Sequence, residues 1–479
     1  MHWKSIKRAL GSILILLAVS MLFPLFWAVY YGTSDAAAFA WSMLLTGIPG
    51  LVLIQRNKGP LELGSRDAFV VVTGSWVIGP IVGALPFIIS GVLPNPVDAL
   101  FEAMSGFTTT GATAMSQVEV PAAGVLFWRS FLNWMGGMGI ILSFLAIVPM
   151  ASNGSDPLFR AELPGIEVSR FTPRLRQSVM VLWRIYAAIT LLGTISLLLA
   201  GMSLYEALIH TFSTVATGGF SNRALSIGAF QSPWIRIVIF FFMFAAGINF
   251  GLYYKAVQTR NVSAVFRDPE FRTYAGIILA ASTIIVLNLA GTYGFLEAVR
   301  HGPFQVVSVI TTTGYTTVDF DKWPDLSRGV LLFLMFFGAC SGSTAGSMKI
   351  ARLMVAAKAA VTELGRMVHS RAVLPVRLGD RVIPESTVRN TFVFIAIYLT
   401  CVAAGTLYML WLGLDIVSAL SAVATTLGNV GPGLGIVGPA GSYAPIPASG
   451  KMVLTFLMLV GRLEIFTVFV TLTPTFWRR

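Results

Sequence analysis

Hydrophobic residues occur along this chain in long, nearly unbroken runs, with polar residues gathered in the connections between them. Each run holds about the 20 residues that a helix needs to cross a bilayer. We predict ten spans, at residues 9–31, 36–54, 68–93, 124–150, 179–204, 233–254, 273–291, 329–362, 391–412 and 452–476. The first is longer than the hydrophobic part of a cleavable signal peptide, about 7–15 residues, so we expect it to be retained as a helix.

Four connections contain a short, half-apolar segment that ends in a cluster of Thr and Gly. The four segments are 98–114, 206–222, 304–320 and 415–431. One spanning run precedes each segment and another follows it. When the segments are aligned on one glycine each, the copies are 107, 96 and 114 residues apart, at Gly111, Gly218, Gly314 and Gly428. The pattern predicts four tandem units, each made of a helix, a half-helix, an extended loop and a second helix.

The number of spans per unit fixes how the units are arranged. Two spans give every copy the same orientation in the bilayer, so the four can surround one axis, unlike inverted repeats. Non-helical backbone at membrane depth must line a water-filled cavity or be buried in protein. We therefore predict an all-α polytopic membrane protein with four helix–pore-helix–filter–helix repeats around one pore, after two extra N-terminal helices. The predicted boundaries are 1–66 for these helices, then 67–177, 178–272, 273–389 and 390–479 for the repeats.

Composition and charge agree with this prediction. Hydrophobic residues make up 56% of the chain and charged residues 11%, too few charges to cover a soluble surface. The net charge of +12 would suggest nucleic-acid binding in a soluble protein, but 24 of the 33 Lys and Arg residues lie in alternate connections. The positive-inside rule then places both termini in the cytoplasm, and we expect membrane lipid rather than nucleic acid as a partner.

Few residues suggest other chemistry. The two cysteines, Cys340 and Cys401, and four scattered histidines exclude a disulfide scaffold and Cys- or His-rich metal sites. No HExxH or GxSxG motif is present, so we do not expect an enzyme.

The Thr–Gly clusters have the composition of an ion filter. A dehydrated monovalent cation needs rings of oxygen dipoles, which inward-pointing backbone carbonyls supply. Glycine permits the backbone angles, and threonine adds hydroxyls and stiffness. One such cluster is usually a turn, whereas four at matching places indicate a filter for an ion such as K⁺, with no organic cofactor. The candidate filter residues are Thr109, Thr110, Gly111, Ala216, Thr217, Gly218, Thr312, Thr313, Gly314, Thr426, Leu427 and Gly428.

Several motifs resemble those of a known family. They are TTTGAT (108–113), STVATGGFSN (213–222), ITTTGYTTVDF (310–320), TTLGNVGPG (425–433), CSGSTAGSMKIAR (340–352) and GRLEIFTV (461–468). On these motifs the chain resembles the Trk/Ktr/HKT superfamily of potassium transporters, and within it the bacterial TrkH/TrkG branch. The resemblance implies K⁺ uptake across the bacterial inner membrane by a homodimer with one pore per subunit. It also implies a cytoplasmic regulatory partner, TrkA, which binds nucleotides.

Control of flow is expected where the eighth span is interrupted by GACSGSTAGS at 338–347. Small residues four apart could instead form a close helix–helix interface. The resemblance implies an intramembrane loop that obstructs the pore below the filter. The candidate gate residues are Gly338, Ser341, Gly342, Ser343, Thr344, Gly346 and Arg462.

A charge within the last span also bears on the mechanism. Arg462 would be costly inside the membrane unless it faced a cavity or a partner, or snorkelled to the interface. The resemblance implies that it projects into the pore beside the 338–347 loop. A gated channel-like pathway is our leading interpretation. A proton- or sodium-coupled symporter is the alternative, with Glu464 as its one candidate carboxylate outside the half-helix starts.

Overall fold

The structure is a computed structural model that describes residues 1–59, 61–139, 175–369, 374–379 and 381–478. Residues 140–150 of the fourth predicted span, and the basic connection that follows up to residue 174, lie outside the described residues. The described chain is mostly helical, and its longest helices are apolar, which confirms the predicted all-α polytopic fold.

Two spans precede the repeats, as the hydrophobic runs predict. Helices α1 (Trp3–Ser20) and α2 (Leu22–Tyr31) together form the first, and α3 (Ala36–Arg56) forms the second. Gly32 ends α2 in the left-handed conformation, with φ of 65°. The two spans cross closely because Gly11 and Gly50 face each other, so that a Cβ on Gly11 would lie 2.9 Å from the Gly50 carbonyl oxygen.

The first two repeats have the predicted order of elements. Repeat 1 contains α4 (Ser65–Gly83), α5 (Leu85–Ile89), the half-helix α6 (Pro96–Phe107) and α7 (Ala123–Gly137). Repeat 2 contains α8 (Leu175–Leu199), the half-helix α9 (Leu204–Val215), α10 (Pro233–Ala246) and α11 (Phe250–Thr259). A short helix α12 (Ser263–Phe266) leads to the next repeat.

The other two repeats follow the same order. Repeat 3 contains α13 (Pro269–Tyr293), the half-helix α14 (Phe295–Ile310), α15 (Asp325–Leu334) and α16 (Ile350–Val368). Repeat 4 contains α17 (Glu385–Trp411), the half-helix α18 (Ile416–Leu427), α19 (Ala448–Arg462), α20 (Phe466–Leu472) and α21 (Pro474–Trp477). Between them lies a two-residue antiparallel hairpin of β1 (Arg377–Leu378) and β2 (Arg381–Val382), with Arg377 opposite Val382.

The repeat boundaries differ slightly from those predicted. The first helices of the four repeats begin at Ser65, Leu175, Pro269 and Glu385. Each predicted boundary therefore falls two to five residues inside a helix. The hydrophobic runs mark only the part of a helix that lies in lipid, whereas each helix begins in the polar connection before it.

Three predicted spans are not straight helices. The span at 233–254 bends by 89° between α10 and α11, and the span at 452–476 bends by 115° between α19 and α20. The second bend lies at Glu464 and Ile465, which both have positive φ. The span at 329–362 is interrupted between α15 and α16. The interruption of the span at 329–362 was predicted from the glycines and small polar residues at 338–347, whereas hydropathy could not show the two bends because they fall inside runs that remain apolar overall.

The surface and the termini fit a multi-pass membrane protein. Large apolar side chains are exposed along the spanning helices, including Leu279, Leu287 and Trp411, each at 70% or more. Trp3 stacks on Trp477 with ring centroids 6.5 Å apart, so the two ends of the chain lie on the same face of the protein.

Candidate functional site: a four-loop ring and the loop beneath it

Each half-helix begins at a polar or flexible residue. The side chains of Asn95, Ser203 and Asp415 accept hydrogen bonds from backbone N–H groups in the first turns of α6, α9 and α18. Bonds from Ser418 lower the pKa of the Asp415 carboxyl. Gly294 precedes α14 and supplies no side-chain cap. The opposite ends of the half-helices, where the partial charge is negative, lead into the Thr–Gly loops.

The four loops leave their half-helices with one shared geometry. Two residues after each helix ends, one residue adopts the left-handed conformation with φ between 53° and 56°: Thr109, Thr217, Thr312 and Asn429. The residue after it donates its backbone N–H to a carbonyl five positions back, at 2.7 to 2.9 Å. These bonds are Thr110 to Ser105, Gly218 to Ser213, Thr313 to Ser308 and Val430 to Thr425. The shared motif is therefore (Thr/Asn)-x-Gly.

The third position of this motif is always a glycine with positive φ, and it contacts the next loop. A Cβ at each glycine would lie 1.8 to 2.7 Å from a carbonyl oxygen of the following repeat, far too close for any side chain. The four contacts are Gly111 with Gly218, Gly219 with Thr313, Gly314 with Val430, and Gly431 with Thr110. Because the fourth contact returns to the first loop, the loops form a closed ring. We call it the carbonyl ring: Thr109–Gly111, Thr217–Gly219, Thr312–Gly314 and Asn429–Gly431.

The geometry corrects the sequence alignment in two repeats. In repeat 2 the glycine equivalent to Gly111 is Gly219, so the alignment on Gly218 was wrong by one residue and Ala216 only ends the half-helix. In repeat 4 the equivalent glycine is Gly431, so the alignment on Gly428 was wrong by three residues. Thr426 and Leu427 lie in the last turn of α18, and Gly428 follows with right-handed φ of −81°. The alignment in repeats 1 and 3 agrees with the structure.

The interruption after α15 is a compact loop, here named the 338–347 loop, that lies against the carbonyl ring. The Gly346 N–H donates to the Thr312 hydroxyl at 2.7 Å. The Thr344 hydroxyl donates to the Val215 carbonyl at 3.0 Å, at the end of the repeat-2 half-helix. A Cβ on Gly346 would lie 2.5 Å from the Gly428 carbonyl oxygen. The loop thus contacts three repeats at once, which a helix–helix interface of small residues would not do.

Glu270, at the start of α13, holds the other side of this loop. One of its carboxylate oxygens accepts hydrogen bonds from the N–H groups of Ser341, at 2.6 Å, and Ala351, at 3.1 Å. The Gly338 N–H donates to the Met348 carbonyl at 2.8 Å, which ties the two ends of the loop together. A single carboxylate therefore fixes the start of α16 and the middle of the 338–347 loop.

Arg462 is the last residue of α19 and joins the ring to the loop. Its guanidinium donates to the Thr109 hydroxyl at 3.1 Å and to the Thr344 carbonyl at 2.8 Å. It also donates to the carbonyls of Gly136, at 2.7 Å, and Gly137, at 3.2 Å. The 115° bend that follows leaves Arg462 beneath the ring instead of within a continuous span. Two residues on, Glu464 forms an ion pair with Arg352 of α16.

Two cavities lie on either side of the ring. The outer one, of about 770 Å³, is lined by the ring glycines Gly111, Gly219, Gly314 and Gly431. The inner one, of about 90 Å³, is lined by Arg462, Lys349 and residues 342–347. Of the candidate gate residues, Gly342, Ser343, Thr344, Gly346 and Arg462 line the inner cavity, whereas Gly338 and Ser341 hold the loop in place from behind.

The chemistry available in the ring is that of neutral oxygens. Among the described residues, no group of three His, Cys, Asp or Glu side chains is placed to hold a metal ion. The hydroxyls of Thr109 and Thr312 face the 338–347 side of the ring, where they accept hydrogen bonds from Arg462 and the Gly346 N–H, and the loop backbone adds carbonyls. Such oxygens suit a weakly hydrated monovalent cation better than a divalent one.

The fold and the ring define a polytopic membrane protein with four pore-loop repeats. Residues 35–478 match the family model TrkH, described as a cation transport protein, so the chain belongs to the TrkH family. It is similar to the Trk system potassium uptake protein TrkH of Salmonella typhimurium, with 38% identity over 100% of both chains. TrkG of Escherichia coli is 30% identical over 100% of this chain and 99% of its own.

A solved structure has the same fold. The potassium transporter TrkH from Vibrio parahaemolyticus superposes with a TM-score of 0.89 at 36% identity, with 100% of both chains covered. The relatives are named as transport proteins rather than enzymes. The resemblance drawn from the motifs is therefore confirmed.

Sequence reasoning missed four ring residues: Gly219, Asn429, Val430 and Gly431. The signal was present, because Asn is the non-glycine residue that, with Asp, most readily adopts the left-handed conformation. The pattern (Thr/Asn)-x-Gly occurs in all four loops, but in repeat 4 it also fits residues 426–428, so the contacts in the structure are needed to choose between the two alignments. The anchoring carboxylate of Glu270 left no such signal, since it lies 71 residues from Ser341 in the sequence.

Proposed function

We propose that the chain mediates K⁺ uptake through a gated, channel-like pathway that passes through the carbonyl ring. The observation that carries this proposal is the closure of the ring by four equivalent glycine–carbonyl contacts. A ring of backbone carbonyls can replace the hydration shell of a monovalent cation. The negative ends of four half-helices point towards the same place and add to the stabilisation of a cation there. The names of the relatives support K⁺ as the transported ion.

The 338–347 loop is the proposed gate. It fills the space directly beneath the ring and leaves an inner cavity of only about 90 Å³. Arg462 adds a permanent positive charge beside it, because a guanidinium stays protonated at any physiological pH. A cation leaving the ring would meet both obstacles, so flow requires the loop to move away from Thr312 and Arg462.

Regulation by a second chain is part of the proposal. Among the described residues, the only strands are the two-residue β1 and β2, which cannot form a nucleotide-binding sheet. Control by nucleotide would therefore come from a cytoplasmic TrkA-like subunit bound to the basic connections. We further propose a homodimer in the bacterial inner membrane, with both termini in the cytoplasm, where the positive-inside rule puts them.

The experiment that tests the pathway is a substitution at one ring glycine. Gly314 has φ of 79°, and a Cβ there would lie 2.1 Å from the Val430 carbonyl oxygen. Gly314→Ala should therefore distort the ring and abolish ⁸⁶Rb⁺ uptake into proteoliposomes. Gly329→Ala is the matched control, because a Cβ at Gly329 meets nothing within 4 Å. Wild-type uptake by folded Gly314→Ala protein would exclude the ring as the pathway.

A further inference from the structure

The repeat alignment from the structure reveals a second set of equivalent positions, behind the ring. Five residues before the last residue of each half-helix, the four repeats carry Glu102, His210, Gln305 and Ala422. All four side chains are fully buried. Three of them are polar, and burying a polar side chain costs free energy unless it forms hydrogen bonds.

The three polar side chains bind the same part of their own loops, two or three residues after the ring glycine. The Glu102 carboxylate accepts hydrogen bonds from the Thr113 hydroxyl, at 3.1 Å, and the Ala114 N–H, at 2.8 Å. His210 Nε2 lies 3.0 Å from the Ser221 hydroxyl. When the Gln305 amide nitrogen faces the Tyr315 carbonyl, the amide oxygen accepts a hydrogen bond from the Thr317 N–H at 2.8 Å.

In repeat 4 a different residue binds the ring loop from behind. Ala422 cannot bind the loop, and the hydroxyl of Tyr443 donates to the Gly431 carbonyl at 2.9 Å instead. The Tyr443 N–H also donates to the Thr113 carbonyl at 2.9 Å, which links the fourth loop to the first. Every ring loop therefore forms hydrogen bonds with at least one buried polar side chain behind it, and these four side chains are chemically different.

Glu102 is the only one of the four that carries a full charge, and it is paired. Arg129 of α7 donates its Nε–H to Glu102 at 2.7 Å, and both side chains are at most 2% exposed. The same guanidinium donates to the Ser221 carbonyl at 3.2 Å and to the Thr113 hydroxyl at 3.2 Å. It also lies 4.2 Å from the centre of the Phe220 ring. One ion pair thus joins the first loop to the second just beyond the ring.

We propose that the Glu102–Arg129 pair is a positioning device that sets the spacing of the first two ring loops, and through it the discrimination between K⁺ and smaller cations. The inference rests on the proposed function. A carbonyl ring selects among monovalent cations only if its loops cannot close on a smaller ion. The buried pair supplies such stiffness, since moving either loop breaks charge-assisted hydrogen bonds in a site of low dielectric.

The test compares two charge-neutralising changes on the same half-helix. Glu102→Gln keeps the shape of the side chain but removes the charge that orients Arg129. Asp98→Asn is the matched control, because Asp98 also forms an ion pair, partly exposed, with Lys451 at 2.6 Å, and among the described residues no hydrogen bond joins its side chain to a ring loop. The measurement is the ratio of Rb⁺ to Na⁺ permeability, from bi-ionic reversal potentials of purified protein in planar bilayers.

We expect Glu102→Gln to lower the permeability ratio about five-fold, which corresponds to about 1 kcal/mol, the net contribution of one hydrogen bond. Asp98→Asn should leave the ratio unchanged even if it lowers thermal stability. Should Glu102→Gln fail to fold, Thr113→Val removes the hydroxyl that both partners bind, at a half-buried position, and should lower the ratio in the same direction.

The outcomes separate this inference from the proposed function. If Gly314→Ala abolishes flux but the ratio is unchanged in Glu102→Gln or, failing that, in Thr113→Val, the pair is only structural and the inference is wrong. If Asp98→Asn changes the ratio as much as Glu102→Gln, the effect is a general loss of stability, and the inference is again overturned. If Gly314→Ala has no effect on flux, the proposed function itself fails.

Discussion

Replacing Arg462 tests the proposed gate most sharply, because this side chain touches both the ring and the loop. Among its hydrogen bonds to described residues, the one to the Thr344 carbonyl, at 2.8 Å, reaches the loop itself. A hydrogen bond to a charged group contributes about 1.5–3 kcal/mol. Arg462→Ala removes this bond together with the positive charge under the ring, so both changes favour passage of a cation.

The size of the effect follows from the loop contact. If the closed position loses about 1.5 kcal/mol, the population of the open position rises about ten-fold while it remains the minor state. We therefore expect ⁸⁶Rb⁺ uptake by Arg462→Ala in liposomes to be about ten-fold faster than by wild type, without any partner subunit. Arg462→Lys should give a smaller increase, because the charge remains but one ammonium cannot replace the fork that binds Thr109, Thr344 and α7.

The control is an arginine with comparable exposure that does not contact the loop. Arg328 of α15 is 27% exposed and forms ion pairs with Asp321, on the connection before α15, and with Asp325, the first residue of α15. Arg328→Ala should leave uptake close to wild type. Uptake by folded Arg462→Ala that is no faster than wild type would remove Arg462 from the gate, and equal acceleration by Arg328→Ala would make the effect unspecific.

Three further predictions concern the loop and the transport mode. A deletion within residues 338–347 should raise ⁸⁶Rb⁺ uptake without a partner subunit, whereas lower uptake from a less stable protein would favour a purely structural role. Glu270→Ala, which removes the acceptor for the Ser341 and Ala351 N–H groups, should raise uptake several-fold, while Glu270→Gln keeps an oxygen acceptor and should stay near wild type. A tenfold proton gradient should not shift the K⁺ reversal potential, because Glu464 is engaged by Arg352; a shift would instead support the coupled symporter.

The repeat architecture was predictable because it depends on local patterns. Spans, half-helices and Thr–Gly clusters each occupy a continuous stretch of sequence, and their order alone defines the fold. The interruption after α15 was predictable for the same reason, since glycine and small polar residues disfavour a helix. The loops of repeats 1 and 3 were also aligned correctly, because both read Thr-Thr-Gly.

The remaining features depend on three-dimensional contacts. In repeat 2 two adjacent glycines offered two alignments, and only the contact of Gly219 with Thr313 decides between them. In repeat 4 the Thr-Thr-Leu-Gly sequence resembles the other loops but lies mostly within α18. The bend after Arg462 has no signature in the hydrophobic pattern. The ion pair between Glu102 and Arg129 joins two different helices, and no spacing in the sequence predicts it.

The most direct test of the account is to locate the ion. Crystals of the protein grown in Rb⁺ should show anomalous scattering on the axis of the ring, between the carbonyls of Thr110, Gly218, Thr313 and Val430. The ring defined by the structure predicts density at this level, and the same density should be lost in Gly314→Ala. Well-ordered loops without Rb⁺ density on the axis, or density held by carboxylates elsewhere, would contradict the assignment of the carbonyl ring as the ion pathway.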